Sequence, residues 1–470
     1  MARPYPVPNA TVPYWRTELH ELDSHRSTSE LPQKQDIVII GAGFAGAALA
    51  KYLLEDSGPS SSAKPSITIL EAREACSGAT GRNGGHLRPD LFVSLAARMQ
   101  EVGLKAANSV ALFEVANEEA VVALVAEENI ACDLQPVTTA DTFVDQAEAV
   151  KIKKLWDVMV RLDCPTLRSV TYHGPDDAER VTGVRDAKLA FTYSAHTIWP
   201  YKLVMHILAG AVAKGVNLQT HTPVYAVSGA PDGEGCWLLK TARGVIKAKK
   251  VIFATNAYTS GLLPEYDDAI YPARGTVCRV VPKSQTLSDV KLGSLAVEIK
   301  SPATVDCYYG ARPDGSLIIG GAKTTFNDQR RDLWYRNYDD STLIEPAVPY
   351  FPAWPGKALV GWEGKEVQTS SVWTGIMGYS ADDVPHVGPV SSKPGLYICA
   401  GFNGHGMPNV LLCAKGLAKM IREGSPFSQT GIPAYYETGA ERLRKIAKRS
   451  AAPAINRARA DIFLKHSYGS

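Results

Sequence analysis

The run Asp36-Ile37-Val38-Ile39-Ile40-Gly41-Ala42-Gly43-Phe44-Ala45-Gly46, continued by Ala47-Ala48-Leu49-Ala50-Lys51-Tyr52-Leu53-Leu54, reads as strand, tight turn and helix. Residues 36–40 are short, apolar and β-branched, as a buried parallel strand requires. Gly41 permits the turn, Gly43 lets backbone approach a pyrophosphate, and Gly46 lets the helix pack close to the strand. The helix that follows from Ala47 offers free N–H groups and a dipole that favour phosphate. Working outward, Ser57 to Pro65 is a polar loop, and Ser66-Ile67-Thr68-Ile69-Leu70 is a second strand ending in Glu71. Glu71 lies 25 residues after Gly46, where a carboxylate can accept the ribose hydroxyls of a dinucleotide.

A second Gly-rich stretch follows. Glu71-Ala72-Arg73 leads into Cys76-Ser77-Gly78-Ala79-Thr80-Gly81-Arg82-Asn83-Gly84-Gly85-His86. Small residues admit a flat ring, and Ser77, Thr80 and Asn83 offer hydrogen bonds. A short dinucleotide has no use for this loop, whereas FAD does. Far downstream, the strand 396–400 runs into Gly401-Phe402-Asn403-Gly404-His405-Gly406-Met407 and a helix expected from Pro408, a residue suited to the first helical position. N–H groups there face the negative charge that builds on a flavin taking up hydride.

The bulk of the chain restricts the alternatives. Its 470 residues exceed one small core and point to two intertwined domains. A net charge of +2 gives no reason to expect nucleic acid. No apolar run approaches the roughly 18 residues of a membrane span, so no membrane partner is expected. The eight cysteines form no C-x-x-C pair, so neither a metal nor a dithiol centre is expected. Scattered thiols fit a reducing compartment, hence a cytoplasmic location. Residues 1–35 form a Pro-rich leader in which Tyr14, Trp15, Leu19 and Leu22 either pack on the body or stay loose.

Together, GAGFAG, Glu71, SGATGRNGGH, DDVPHVG (382–388) and GFNGHGM resemble the FAD-dependent oxidoreductases of the D-amino-acid oxidase, glycine oxidase and sarcosine oxidase family. The GATGRNGG form is most similar to the gamma-glutamylputrescine-oxidase-like branch. The resemblance implies an α/β fold: a Rossmann-like FAD-binding domain of the glutathione-reductase type, interleaved with an antiparallel-sheet substrate domain. It divides the chain into a leader (1–35), FAD-binding parts (36–110, 196–265 and 371–425), substrate parts (111–195 and 266–370) and a basic helical end (426–470). It implies an enzyme that oxidises a primary or secondary amine to an imine, with O2 as acceptor and H2O2 as product. A tailoring enzyme for a larger metabolite, or an FAD-binding protein without catalysis, remain alternatives.

By position, the resemblance further implies an adenine contact at Val224, a pyrophosphate turn at Thr255 and Asn256, and a contact at Asp382. The cofactor contacts expected are Gly41, Gly43, Phe44, Ala45, Gly46, Glu71, Ala72, Arg73, Ser77, Ala79, Thr80, Arg82, Asn83, Gly84, Gly85, His86, Val224, Thr255, Asn256, Gly375, Gly401, Asn403, Gly404, His405, Gly406 and Met407. Where sarcosine-oxidase-like members carry a flavin-linking Cys, this chain has Met377, so FAD is expected without a covalent bond; His86 offers an alternative link. Where they carry a carboxylate-binding Lys, it has Pro408. Arg88 or Arg274 replaces that charge, unless each serves an ordinary ion pair. Tyr308, Tyr309, Trp362 and Trp373 are expected to wall an aromatic pocket. His405, Arg88 and Tyr309 are thus the candidate catalytic residues.

Overall fold

A computed structural model of the chain describes residues 4–55, 64–283, 295–301, 304–326 and 328–451. Most of the Ser57 to Pro65 loop, part of the 270–325 region and the basic end beyond residue 451 lie outside these.

The strand Lys34–Ile40 sits centrally in the first sheet. Ile37 to Ile40 are buried, because the sheet is covered on both faces. It pairs in parallel with Ile67–Leu70 on one side and Gly244–Phe253 on the other. Asn217–Gln219 and Leu396–Ala400 extend the sheet in parallel, and His386–Pro389 closes one edge antiparallel. The helices Phe44–Leu53 and Val410–Glu423 pack together, through Ala47, Ala48 and Ala50 on one and Ala414 and Leu417 on the other, all fully buried. This is the expected dinucleotide fold. Gly244–Phe253 is one continuous strand.

The second sheet runs in the order Val367–Ser380, Ile270–Pro282, Leu317–Gly321, Thr304–Ala311, Leu295–Ser301, Gln135–Phe143, Leu189–Thr197 and His86–Leu87. It is antiparallel except for Leu295–Ser301 against Gln135–Phe143. Two helices, Val93–Val102 and Leu104–Glu127, are separated by Gly103 at φ +80°.

Two expectations are revised. The late helix starts at Val410 with Asn409 at its N-cap, so Pro408 lies in the preceding turn and not at the first helical position. The leader is packed: Trp15 is fully buried, with Leu22. Trp15 donates its indole N–H to the Asn83 carbonyl at 2.6 Å, and its own carbonyl accepts from Trp199 at 2.7 Å. All eight cysteines are buried thiols. No helix among the described residues is long and apolar enough to cross a membrane.

Candidate functional site

A cavity of about 1,290 Å³ is lined from both sheets. Its first wall is the turn that opened the sequence reading. Gly41 has φ +108°, and a Cβ there would stand 2.6 Å from the Ala254 carbonyl oxygen. A Cβ on Gly46 would stand 1.9 Å from the Gly41 oxygen, so Gly46 serves helix–strand contact and does not itself line the cavity. Gly43, Phe44 and Ala45 do line it. Glu71 accepts the Ala42 N–H at 2.8 Å and the Arg73 N–H at 3.0 Å. Its carboxylate is thereby fixed at the cavity edge, beside Ala72 and Val224.

The second Gly-rich loop folds as a 3-10 turn over Ala79–Arg82. Thr80 Oγ1 accepts the Phe44 N–H at 3.1 Å, tying this loop to the first. Asn83 bonds locally, donating to the Thr80 carbonyl and accepting the Gly85 N–H. Two of the cofactor contacts expected in this loop, Ser77 and Gly85, fall outside the cavity wall. The Ser77 side chain is buried, and its carbonyl accepts Arg82 Nε at 2.7 Å. Gly85, at φ +73°, makes room for Trp15, whose ring a Cβ would meet at 2.7 Å. Gly84, in contrast, lines the cavity and admits Tyr308, which a Cβ there would meet at 2.4 Å. Arg73 and Arg82 line the wall and share Asp340: Arg73 binds it through both nitrogens at 2.9 and 3.0 Å, and Arg82 approaches at 3.5 Å. Arg274 stands on the wall too, bonded to the Thr342 carbonyl at 2.7 Å.

The late loop is organised by two asparagines. Asn256 Oδ1 accepts the N–H groups of Gly401 and Phe402 at 3.0 and 3.2 Å. Asn403 Oδ1 accepts the Ser380 N–H at 2.7 Å, and its own N–H reaches the Gly378 carbonyl at 2.7 Å. Gly401 is therefore spent on protein contacts and stays off the wall, whereas Asn403, Gly404, His405, Gly406 and Met407 line it. Thr255, Asn256 and Gly375 line it as well. Met377 packs over Gly404, its sulfur 3.0 Å from where a Cβ would be.

His405 faces a partner that the sequence reading missed. Its Nε2 lies 2.9 Å from Oε2 of Glu114, a buried residue of the helix Leu104–Glu127. Glu114 also accepts the Asp90 N–H at 2.8 Å. Burial alone would lower the His405 pKa, but attraction to Glu114 outweighs it and the net shift is upward. Burial would raise Glu114, and the same attraction instead brings it below its ordinary value. The signal lay in the sequence: Glu114, Asn117 and Glu118 recur at helical spacing on the buried face of an apolar helix.

Arg88 lines the cavity, held by Asp141 and Glu298, each at 3.0 Å, and by the Tyr193 hydroxyl. The second alternative drawn from sequence, an ion pair, therefore describes it. Tyr309 is a correction. It is fully buried on the opposite face of its strand, donates to the Thr182 carbonyl at 3.1 Å and packs on Trp354. Strand alternation turns Tyr308 into the cavity in its place. Trp362 and Trp373 are likewise core residues, Trp373 donating to the Arg82 carbonyl.

The residues present fit FAD. Gly41, Gly43 and Gly84 bring backbone to the wall, and the buried Tyr258 hydroxyl and Thr276 hydroxyl line the cavity without a hydrogen-bond partner among the described residues. His86 is also on the wall; burial holds its imidazole neutral, with a pKa of about 4, and its Nε2 is unpartnered.

Comparison with known proteins agrees. The family described as DAO, FAD dependent oxidoreductase, matches residues 36–420. The chain is 20% identical over 398 residues to the probable oxidoreductase OrdL of Haemophilus influenzae, covering 82% of each chain. It is 23% identical over 419 residues to gamma-glutamylputrescine oxidoreductase of Escherichia coli, covering 87% of this chain and 89% of the relative. The crystal structure of glycine oxidase from Geobacillus kaustophilus shares the fold, with a TM-score of 0.63 at 17% identity over 87% of this chain and 99% of that one.

Proposed function

The chain belongs to the DAO family of FAD-dependent oxidoreductases, and from that premise we propose that it oxidises a primary or secondary amine to an imine. FAD, when bound, would supply the redox chemistry, as acceptor of the hydride on the carbon beside nitrogen and donor of two electrons to O2, with the proton lost from nitrogen completing H2O2. The observation that carries the reading is the charge of the cavity. Arg73 and Arg82 share one acid, Asp340, on the flank where a diphosphate would lie. Around His405 and Tyr308 carboxylates outnumber guanidinium groups: Glu114, Asp90 and Glu298 line the wall with Arg88 and Arg98, and Arg88 is shared by two carboxylates. That end attracts an ammonium group, while the closeness of Arg88, His405 and apolar Met407 and Tyr308 favours its neutral, hydride-donating form once buried.

In this reading Gly41 to Ala45, Glu71 to Arg73, Ala79 to Gly84, Val224 and the 403–407 loop hold FAD without a covalent bond, and the second sheet carries the substrate. His405, kept in place by Glu114, faces the flavin. Arg88 shapes the acidic end. The name of the Escherichia coli relative supports an amine substrate.

The test is an anaerobic panel of amines added to purified protein while flavin absorbance is followed. The reading predicts bleaching by at least one amine and peroxide on admitting air. Bleaching without peroxide would replace the oxidase by a dehydrogenase, and no bleaching by any amine would remove the proposal. Acid precipitation should leave the flavin in solution.

A further inference from the structure

We propose that the leader, from Tyr5 to Trp15, is a cofactor-binding element that closes the cavity over the adenosine half of FAD. The family match begins at residue 36, so this segment stands outside the framework that the family shares. Tyr5 and Pro6 line the same cavity as Glu71, Arg73 and Val224. Naming that end the adenosine end rests on the reading of Glu71 and Val224 given above.

The leader is bonded at intervals along its length. The Tyr5 hydroxyl donates to the Tyr225 carbonyl at 2.8 Å and the Gly261 carbonyl at 3.2 Å, and the two tyrosine rings meet edge to face at 6.4 Å. A Cβ on Gly261 would stand 2.5 Å from the Pro4 oxygen, so leader backbone lies directly on bare backbone there. The Val7 carbonyl accepts Arg73 Nη1 at 3.1 Å. The Thr11 N–H reaches the Asp340 carbonyl at 2.8 Å, and its hydroxyl accepts the Thr374 N–H at 2.9 Å and Arg82 Nη1 at 3.2 Å. Trp15 then closes on Asn83. The segment thus joins the Tyr225 strand of the first sheet to the Thr374 strand of the second. On the way it holds Arg73 and Arg82.

These contacts separate a binding role from mere packing. Packing alone would be met by Trp15, which is wholly interior. Tyr5 and Pro6 instead line the cavity, and Val7 and Thr11 bond Arg73 and Arg82. A cofactor lying along Glu71 and Val224 is covered by the first turn of the leader and leaves only when that turn lifts. The flavin ring, at His405, is not touched by it.

The experiment uses the full-length chain, stripped of flavin and titrated with FAD and separately with FMN, which lacks adenosine. Tyr5→Ala should raise the FAD dissociation constant about tenfold, the scale of one or two lost contacts. The FMN constant, the visible spectrum of the bound flavin and the melting temperature of the apoprotein should stay as in wild type. Thr11→Val should also weaken FAD, through Arg82. An FAD constant for Tyr5→Ala within twofold of wild type would overturn the proposal. So would FAD loss matched by an equal fall in apoprotein melting temperature, since that is a folding defect. If Tyr5→Ala weakened FAD and FMN alike, the adenosine placement at Glu71 and Val224 would fail, and the proposal with it. A wild-type chain that bound neither flavin would sink the cofactor site itself.

Discussion

Two arginine clusters on one cavity are built with opposite stoichiometry. Arg73 and Arg82 divide a single buried aspartate, Asp340, whereas Arg88 alone is divided between Asp141 and Glu298. The first cluster keeps a surplus of positive charge beside the Gly-rich turns. The second keeps a surplus of negative charge beside Tyr308. Burial makes each surplus expensive unless a ligand of the opposite sign completes it. The pair therefore tells which end of the cavity takes an anion and which takes a cation.

The comparison can be broken first at its acid. Asp340→Ala leaves two buried arginines without their carboxylate and should cost about 3–5 kcal/mol in urea unfolding. Arg88→Met strips the cation from two acids. Glu298 is partly open, so the loss should be smaller, about 2–3 kcal/mol by the same measurement. A reversal of that order would deny that the two clusters differ as described. Gly46→Ala tests the turn between them, since its Cβ would overlap the Gly41 oxygen; overpacking of about 1–3 kcal/mol should appear as flavin lost on gel filtration.

A finer test concerns Glu114 and His405. The Glu114 pKa is lowered, so its contribution is present above the ordinary carboxylate range and fades as pH falls through the lowered value. The His405 pKa is raised, so its contribution is complete below its ordinary value of 6.5 and is lost as pH rises through the raised one. Glu114→Gln should remove both limbs from the pH profile of stability. The change should be about 1 kcal/mol or less after allowance for solvent around the partly open imidazole. Met377→Leu is a volume-conserving change expected to cost less than about 1.5 kcal/mol and to leave acid release of flavin intact.

Legibility followed the range of the interactions. The turn at 41–46, Glu71 and the 401–407 loop were readable because local backbone demands write themselves into adjacent residues. Gly41 and Gly46 have no alternative to glycine at their contacts. Glu114, Asp340 and Glu298 were not read, since each acts on a residue far away in sequence and only the fold brings them together. Tyr309 failed for a simpler reason: one step along a strand exchanges wall for core, and Tyr308 and Tyr309 are identical in type. Arg88 could be read as a substrate-binding charge or as half of an ion pair, and its two carboxylates became visible only across three strands.

The central claim is that the acidic end of the cavity selects a cationic amine. The direct measurement is anaerobic flavin reduction by matched pairs, each an amine and the alcohol of the same skeleton, at equal concentration. The account predicts that in productive pairs the amine bleaches the flavin and the alcohol does not. Equal or faster bleaching by the alcohol would contradict it.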